Sequence, residues 1–141
     1  MRGDGVVADA GGLWGVVMIE ADLSELDDLV GDLAGAAVKV AGLAVVAVDA
    51  SAKAVRDDAR ERAPRKDLPH YAATITHDVE VGPSRVSAEV GPELGGQGSL
   101  GHILEDGTAT SPPHPHLQPA LEAREDTFVS AVADVGVEAM K

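Results

Sequence analysis

The chain has 141 residues, 24 acidic and 11 basic, for a formal net charge of −13, and it contains no cysteine. A disulfide scaffold and any cysteine-ligated metal are thereby excluded. So acidic a balance also argues against nucleic acid as a tightly held partner, because phosphate contacts need a cationic surface. The length suits one domain, in which folding buries roughly two-thirds of the unfolded chain's surface. Hydrophobic residues make up 45% of the sequence, too many for a disordered acidic tail. Trp14, Tyr71 and Phe128 are its three aromatics, so the core must come from Ala, Val and Leu. That composition favours close helix packing and a fold whose burial is completed by neighbouring subunits.

Residues 1–15 hold Gly3, Gly5, Gly11 and Gly12 without a clear period. They are expected to form a flexible arm that orders on assembly, leaving residues 16–141 as a single α+β domain. Arg2, Asp4 and Asp9 before a short apolar run make a poor signal peptide. Val16–Glu20 is β-prone and reads as an edge strand. Asp22-Leu-Ser-Glu25 then has the form of a helix capping box. Leu26, Val30, Leu33, Ala37, Val40, Ala44, Ala47, Val48, Ser51 and Val55 follow mostly at steps of three and four.

The spacing predicts a helix over about 23–62, roughly 60 Å long. Gly31, Gly35 and Gly42 weaken it, and mark a bend or a close approach of another helix. Lys39 and the glycines leave the window 33–48 short of a membrane-spanning helix. Charges on the helix are polarised. Asp27 and Asp28 stand among the acids at its start, and Arg56 and Arg60 among the bases at its end. The arrangement matches the macrodipole and also offers charged ends to neighbours.

Pro64 and Pro69 end the helix. Tyr71, Ala73, Ile75, His77, Val79 and Val81 alternate with polar residues, Gly82-Pro83-Ser84 makes a turn, and Val86, Ala88 and Val90 alternate in their turn. This is a β-hairpin with one buried and one wet face. Gly91–Gly101 is glycine-rich, and its composition reads as flexible and exposed. His102–Glu105 forms a short element, and the prolines of Ser111–His116 impose an extended chain. Pro119 suits the first turn of a last helix, whose stripe is Leu121, Phe128, Val132 and Val135. The expected fold is α+β: a long N-terminal helix, a small antiparallel sheet of a hairpin plus short strands, and a C-terminal helix packed on the sheet.

Chemistry-bearing patterns are sparse. His102, His114 and His116 are the best candidates for a small metal-binding protein or hydrolase, yet no His-Glu-x-x-His spacing supports one. His77, on the apolar strand face, reads as a hydrogen-bonded core residue. There is no nucleophile elbow, and the glycine-rich loop lacks the Gly-Lys-Ser/Thr of a phosphate cradle. Asp27-Asp28 and Asp57-Asp58 are adjacent on a helix, so their side chains point about 100° apart and form no dyad. Neither an enzyme nor a cofactor is expected. A helical interaction module of the antitoxin kind is disfavoured by the hairpin and the proline strand.

The order of elements carries more information. A long helix ends in Ala59-Arg-Glu-Arg-Ala-Pro64, and Leu68-Pro-His-Tyr-Ala-Ala-Thr-Ile75 enters the hairpin. Gly101-His-Ile-Leu-Glu-Asp-Gly-Thr108 and Pro112-Pro-His-Pro-His-Leu-Gln-Pro-Ala-Leu121 follow. Over about residues 16–137 this resembles the tail-component family of long-tailed bacteriophages, the tail-completion or head–tail joining proteins of the neck. Glu105, Gly107, Thr108, Pro115, Pro119, Ala120 and Leu121 match its motif positions. Asp106 replaces the usual aromatic, and His116 stands where phenylalanine is common. Residues 65–70 lack the Thr-Gly pair of many relatives.

The resemblance implies a structural virion protein, assembled in the host cytoplasm, that forms a homo-oligomeric ring. It would join other neck and tail proteins and let genomic DNA pass without specific binding; no membrane is involved. A tail terminator capping the tube is the nearest variant. On this reading Gly107 supplies a positive φ, Thr108 a local hydrogen bond, and the proline strand pins the last helix. Asp27, Asp28, Arg56, Arg60, Gly95, Gly96 and Gly98 are candidate assembly contacts.

Overall fold

The structure, a computed structural model, describes residues 6–10, 16–23 and 34–139. Its elements are strands β1 (Val6–Ala10) and β2 (Val17–Asp22), helix α1 (Ala34–Arg62), the helical turn α2 (Tyr71–Thr74), strands β3 (Ile75–Val81) and β4 (Arg85–Pro92), a 3-10 turn over Gly96–Leu100, the short helix α3 (Gly101–Asp106) and helix α4 (Leu117–Ala139). The four strands form one antiparallel sheet in the order β1-β2-β4-β3. Helix α1 lies over β3 and β4, and α4 lies beside α1 and over β1 and β2. The fold is therefore α+β as expected, with both long helices on one face of a small sheet.

Periodicity explains the packing. Strand β4 buries Val86, Ala88, Val90 and Pro92, and β2 buries Val17, Ile19 and Ala21. These period-two residues form the floor of the core. Helix α1 lays Val40, Ala44, Val48, Ala52, Val55, Ala59 onto it, steps of three and four that keep one stripe inward. Valine and alanine alternate along that stripe. In α4, Leu121, Phe128 and Val135 are buried at seven-residue intervals and face α1 and the sheet.

Several local expectations are corrected. Residues 6–10, expected within a flexible arm, pair with β2 from Val6↔Ala21 to Ala10↔Val17. Strand β2 is therefore interior rather than an edge, with β4 on its other side. Tyr71–Thr74 is a helical turn, not the start of the hairpin strand. Its hydroxyl explains why: Thr74 Oγ1 donates back to the Tyr71 carbonyl at 2.6 Å, a local bond that favours the turn. In the capping box, Asp22 closes β2 opposite Arg85, while Glu25 lies outside the described residues, as do Gly31 and the expected helix start. Gly42 marks no close approach, since a Cβ there would meet nothing within 4 Å.

Candidate functional site

The residues singled out by the family resemblance build one local structure around Glu105. Helix α3 ends at Asp106, and Gly107 continues the chain at φ 75°, the left-handed region that favours glycine. A Cβ on Gly107 would lie 2.7 Å from the nitrogen of Pro113, so the turn also closes too tightly for a side chain. Thr108 Oγ1 accepts from the backbone N–H of Ser111 at 3.0 Å, and the Thr108 N–H donates to the Ser111 carbonyl at 2.8 Å. The chain then runs extended back past α3, where the His114 N–H donates to the Leu104 carbonyl at 2.7 Å.

This return delivers the start of α4 to the Glu105 carboxylate. Oε1 accepts from the N–H of His116 at 3.0 Å and of Leu117 at 2.9 Å, and Oε2 accepts from Gln118 at 3.1 Å. The first N–H groups of a helix have no intrahelical partner and carry its positive dipole end. Glu105 thus caps α4 from a distant segment, and it is buried to 8% exposure in doing so. Pro119 sits in the first turn, where its missing N–H costs nothing. Ala120 and Leu121 follow it into the core, while Pro115 is exposed on the strand.

Behind this cap lies a pair of fully buried aromatics. His116 Nε2 is 2.7 Å from the Tyr71 hydroxyl, and the two rings meet edge to face at 5.3 Å. His116 Nδ1 lies 2.9 Å from the His114 carbonyl and 3.1 Å from Glu105 Oε1. A tautomer with the proton on Nδ1 satisfies every partner: Nδ1–H donates, and Nε2 accepts from the phenol. Burial, with a smaller contribution from the Glu105 carboxylate, pushes the Tyr71 phenol well above its ordinary value near 10. The imidazole thus fills a core position, and Tyr71 satisfies its polar edge. Sequence reasoning missed this pair. The available signal was a lone tyrosine on the apolar side of its segment, whose hydroxyl needs a partner when buried.

Most of the glycine-rich segment is exposed as its composition suggests, Glu93–Gly96, Ser99 and Leu100 among it, but two of its glycines are packed inside. Gly98 and Gly101 are buried, and a Cβ at these positions would meet the Glu93 carbonyl oxygen at 1.9 Å and the Pro92 ring at 2.4 Å. Gly98 is needed because the Glu93 backbone passes close, and Gly101 because the Pro92 ring and the Tyr71 hydroxyl do; Gln97 Oε1 accepts from the His70 N–H at 2.9 Å. Of the candidate assembly contacts, Gly95 and Gly96 are exposed with positive φ, while Gly98 is internal. Arg60 is also turned inward, where its Nε–H donates to the Ile75 carbonyl at 2.9 Å. Arg56 donates to His77 Nδ1 at 3.2 Å and pairs with Asp57. His77 Nε2–H in turn donates to Asp49 at 3.0 Å, so this histidine is hydrogen-bonded between α1 and β3 as expected, but half-buried at the edge of the core rather than within it. Asp27 and Asp28 lie outside the described residues.

A second notable surface is the sheet face opposite the helices, which no described element covers. Two shallow depressions there are lined by Met18, Glu20, Glu80, Arg85 and Ser87 and by Asp78, Glu80, Ser87 and Glu89. Arg85 pairs with Glu20 at 2.6 Å and with Asp22 at 3.5 Å. Among the described residues, no three His, Asp or Glu side chains stand where they could hold a metal ion. His102 and His114 are exposed while His116 is committed to Tyr71, so the three histidines form no common site. No helix among the described residues is long and apolar enough to cross a membrane. No protein-family model matches the chain, and neither does any curated protein or solved structure.

Proposed function

We propose that the protein is a structural component of the neck of a long-tailed phage or prophage. It acts as a homo-oligomeric ring that joins or completes the tail and lets DNA pass. The observation that carries the reading is the Glu105 cap. The Glu-x-Gly-Thr turn and the proline strand, recognised separately in the sequence, are parts of one latch that fixes α4 on the sheet. A motif whose members serve each other structurally is what a scaffold protein requires; Glu105, His116 and Leu117 are buried in it, while Thr108 and the proline strand stay exposed. The net charge of −13, multiplied around a ring, repels phosphate and suits a passage that does not retain DNA.

The function is tested on the purified chain by mass photometry and negative-stain electron microscopy, alone and with isolated tail tubes. Ring-shaped particles that associate with tube ends are expected. A monomer at every concentration that never joins a virion refutes the reading. Attachment to tubes lacking any head-side partner, with arrest of their growth, would favour the tail-terminator variant.

A further inference from the structure

Three acidic side chains, on the sheet face that no described element covers, have no ion-pair partner among the described residues. Asp78 and Glu89 are directly opposed across β3 and β4, and Glu80 lies one step along β3 opposite Ser87. Like charges in directly opposed cross-strand positions oppose pairing. Arg85 lines the same depression as Glu80 but is engaged by Glu20 and Asp22, and no ion pair joins any of the three to a cation among the described residues. Among the described residues, no ion pair offsets this repulsion.

A matching cation source is present elsewhere in the same chain. The segment after α1 turns sharply at Asp67, whose φ of 61° is uncommon for a residue other than glycine. The turn is built: the Leu68 N–H donates to the Arg65 carbonyl at 3.1 Å, and the Arg65 Nη2 donates to the Arg60 carbonyl at 2.8 Å. It holds Arg65 and Lys66 outward and exposed, without an ion pair among the described residues. This knuckle follows the helix that covers the inner face of the sheet, whereas Asp78, Glu80 and Glu89 project from the outer face. One chain therefore cannot easily neutralise itself.

We propose that the outer sheet face at Asp78, Glu80 and Glu89 receives the Arg65–Lys66 knuckle of a second copy of this chain. The contact joins two different surfaces, so it is head-to-tail, the kind of interface that generates a closed ring when the rotation between copies closes. The inference rests on the ring reading above and assigns the surfaces through which the copies meet. The charges supply register and orientation more than raw affinity, and they make assembly sensitive to salt.

The test is a charge swap read by mass photometry over a concentration series. Asp78→Lys with Glu89→Lys, and separately Arg65→Glu with Lys66→Glu, should each raise the concentration for half-assembly by about tenfold or more, and combining all four should restore it. The neutral pair Asp78→Asn with Glu89→Gln should weaken assembly less than reversal, and circular dichroism checks that each variant is folded. Raising salt to about 1 M, where screening shortens to about 3 Å, should weaken the unaltered protein. Rings that tolerate both reversals overturn this interface and leave the ring reading intact, as do rings weakened by each reversal but not restored by the swap. An unaltered protein that stays monomeric at every concentration overturns the ring reading itself.

Discussion

Removing the Glu105 carboxylate should be among the most damaging single changes on the surface-facing side of the fold. In Glu105→Ala, the N–H groups of His116, Leu117 and Gln118 lose their acceptor. His116 and Leu117 are buried at 0% and 1% exposure, so water does not replace the carboxylate there. A buried donor left unsatisfied costs about 1–3 kcal/mol. Gln118 is exposed and rehydrates, so it contributes little. Two buried donors, with the loss of a favourable charge at the helix start, give about 3–5 kcal/mol. That is a large share of the roughly 5–15 kcal/mol that stabilises a typical domain.

Glu105→Gln retains one acceptor oxygen for His116 and Leu117 but turns an amide N–H₂ toward Gln118, and should cost about 1–2 kcal/mol. The neighbouring exposed Asp106→Ala serves as control and should stay within about 0.5 kcal/mol. Urea unfolding followed by circular dichroism measures these differences as shifts of midpoint at unchanged slope. Amide hydrogen exchange at residues 116–118 should accelerate in step. A loss below about 1 kcal/mol for Glu105→Ala, or a Gln variant weaker than the Ala variant, would refute the cap as the element that fixes α4.

Other consequences follow from the same geometry. Tyr71 is the chain's one tyrosine, so its ionisation is directly visible in ultraviolet absorbance. Its pKa is raised in the folded state, so its contribution to stability is complete below pH 10 and declines above it, by about 1.4 kcal/mol per pH unit. Tyrosinate should therefore appear together with loss of helical signal in an alkaline titration; ionisation at pH 10 in a fully folded chain would contradict the buried hydroxyl. Glycine positions should divide sharply. Gly42→Ala, facing open space on an exposed helix surface, should raise stability by about 0.5–1 kcal/mol. Gly101→Ala, pressed against the Pro92 ring, should lower it by about 1–3 kcal/mol in the same melts.

The contrast between these glycines shows where the sequence was sufficient. Gly42 and Gly101 are equivalent in composition, and only the neighbours brought by folding distinguish them. Likewise Gly98 and Gly101 stand in a segment whose local chemistry reads as loose, yet close passage of Glu93 and Pro92 makes it tight. The positive φ of Gly107 and the Thr108 turn, by contrast, are local matters and were legible in the residues themselves. The Glu105 cap lay between these cases. Its residue types were marked by the resemblance, but their purpose depends on a return of the chain through three-dimensional space.

The amino-acid order by itself determined the α+β class, much of the inward stripe of α1, the alternation of β4 and the final helix around Pro119, because these follow from periods of 3.6 and 2 and from proline's fixed φ; on β3 the expected inward Val81 is exposed instead. Tertiary structure alone decided that residues 6–10 pair with β2, that Arg56 and Arg60 turn inward, and that His116 shares a buried hydrogen bond with Tyr71. Strand partners, ion pairs and buried hydrogen bonds join residues far apart in the chain. No local pattern encodes them, and they are settled only when the whole core closes.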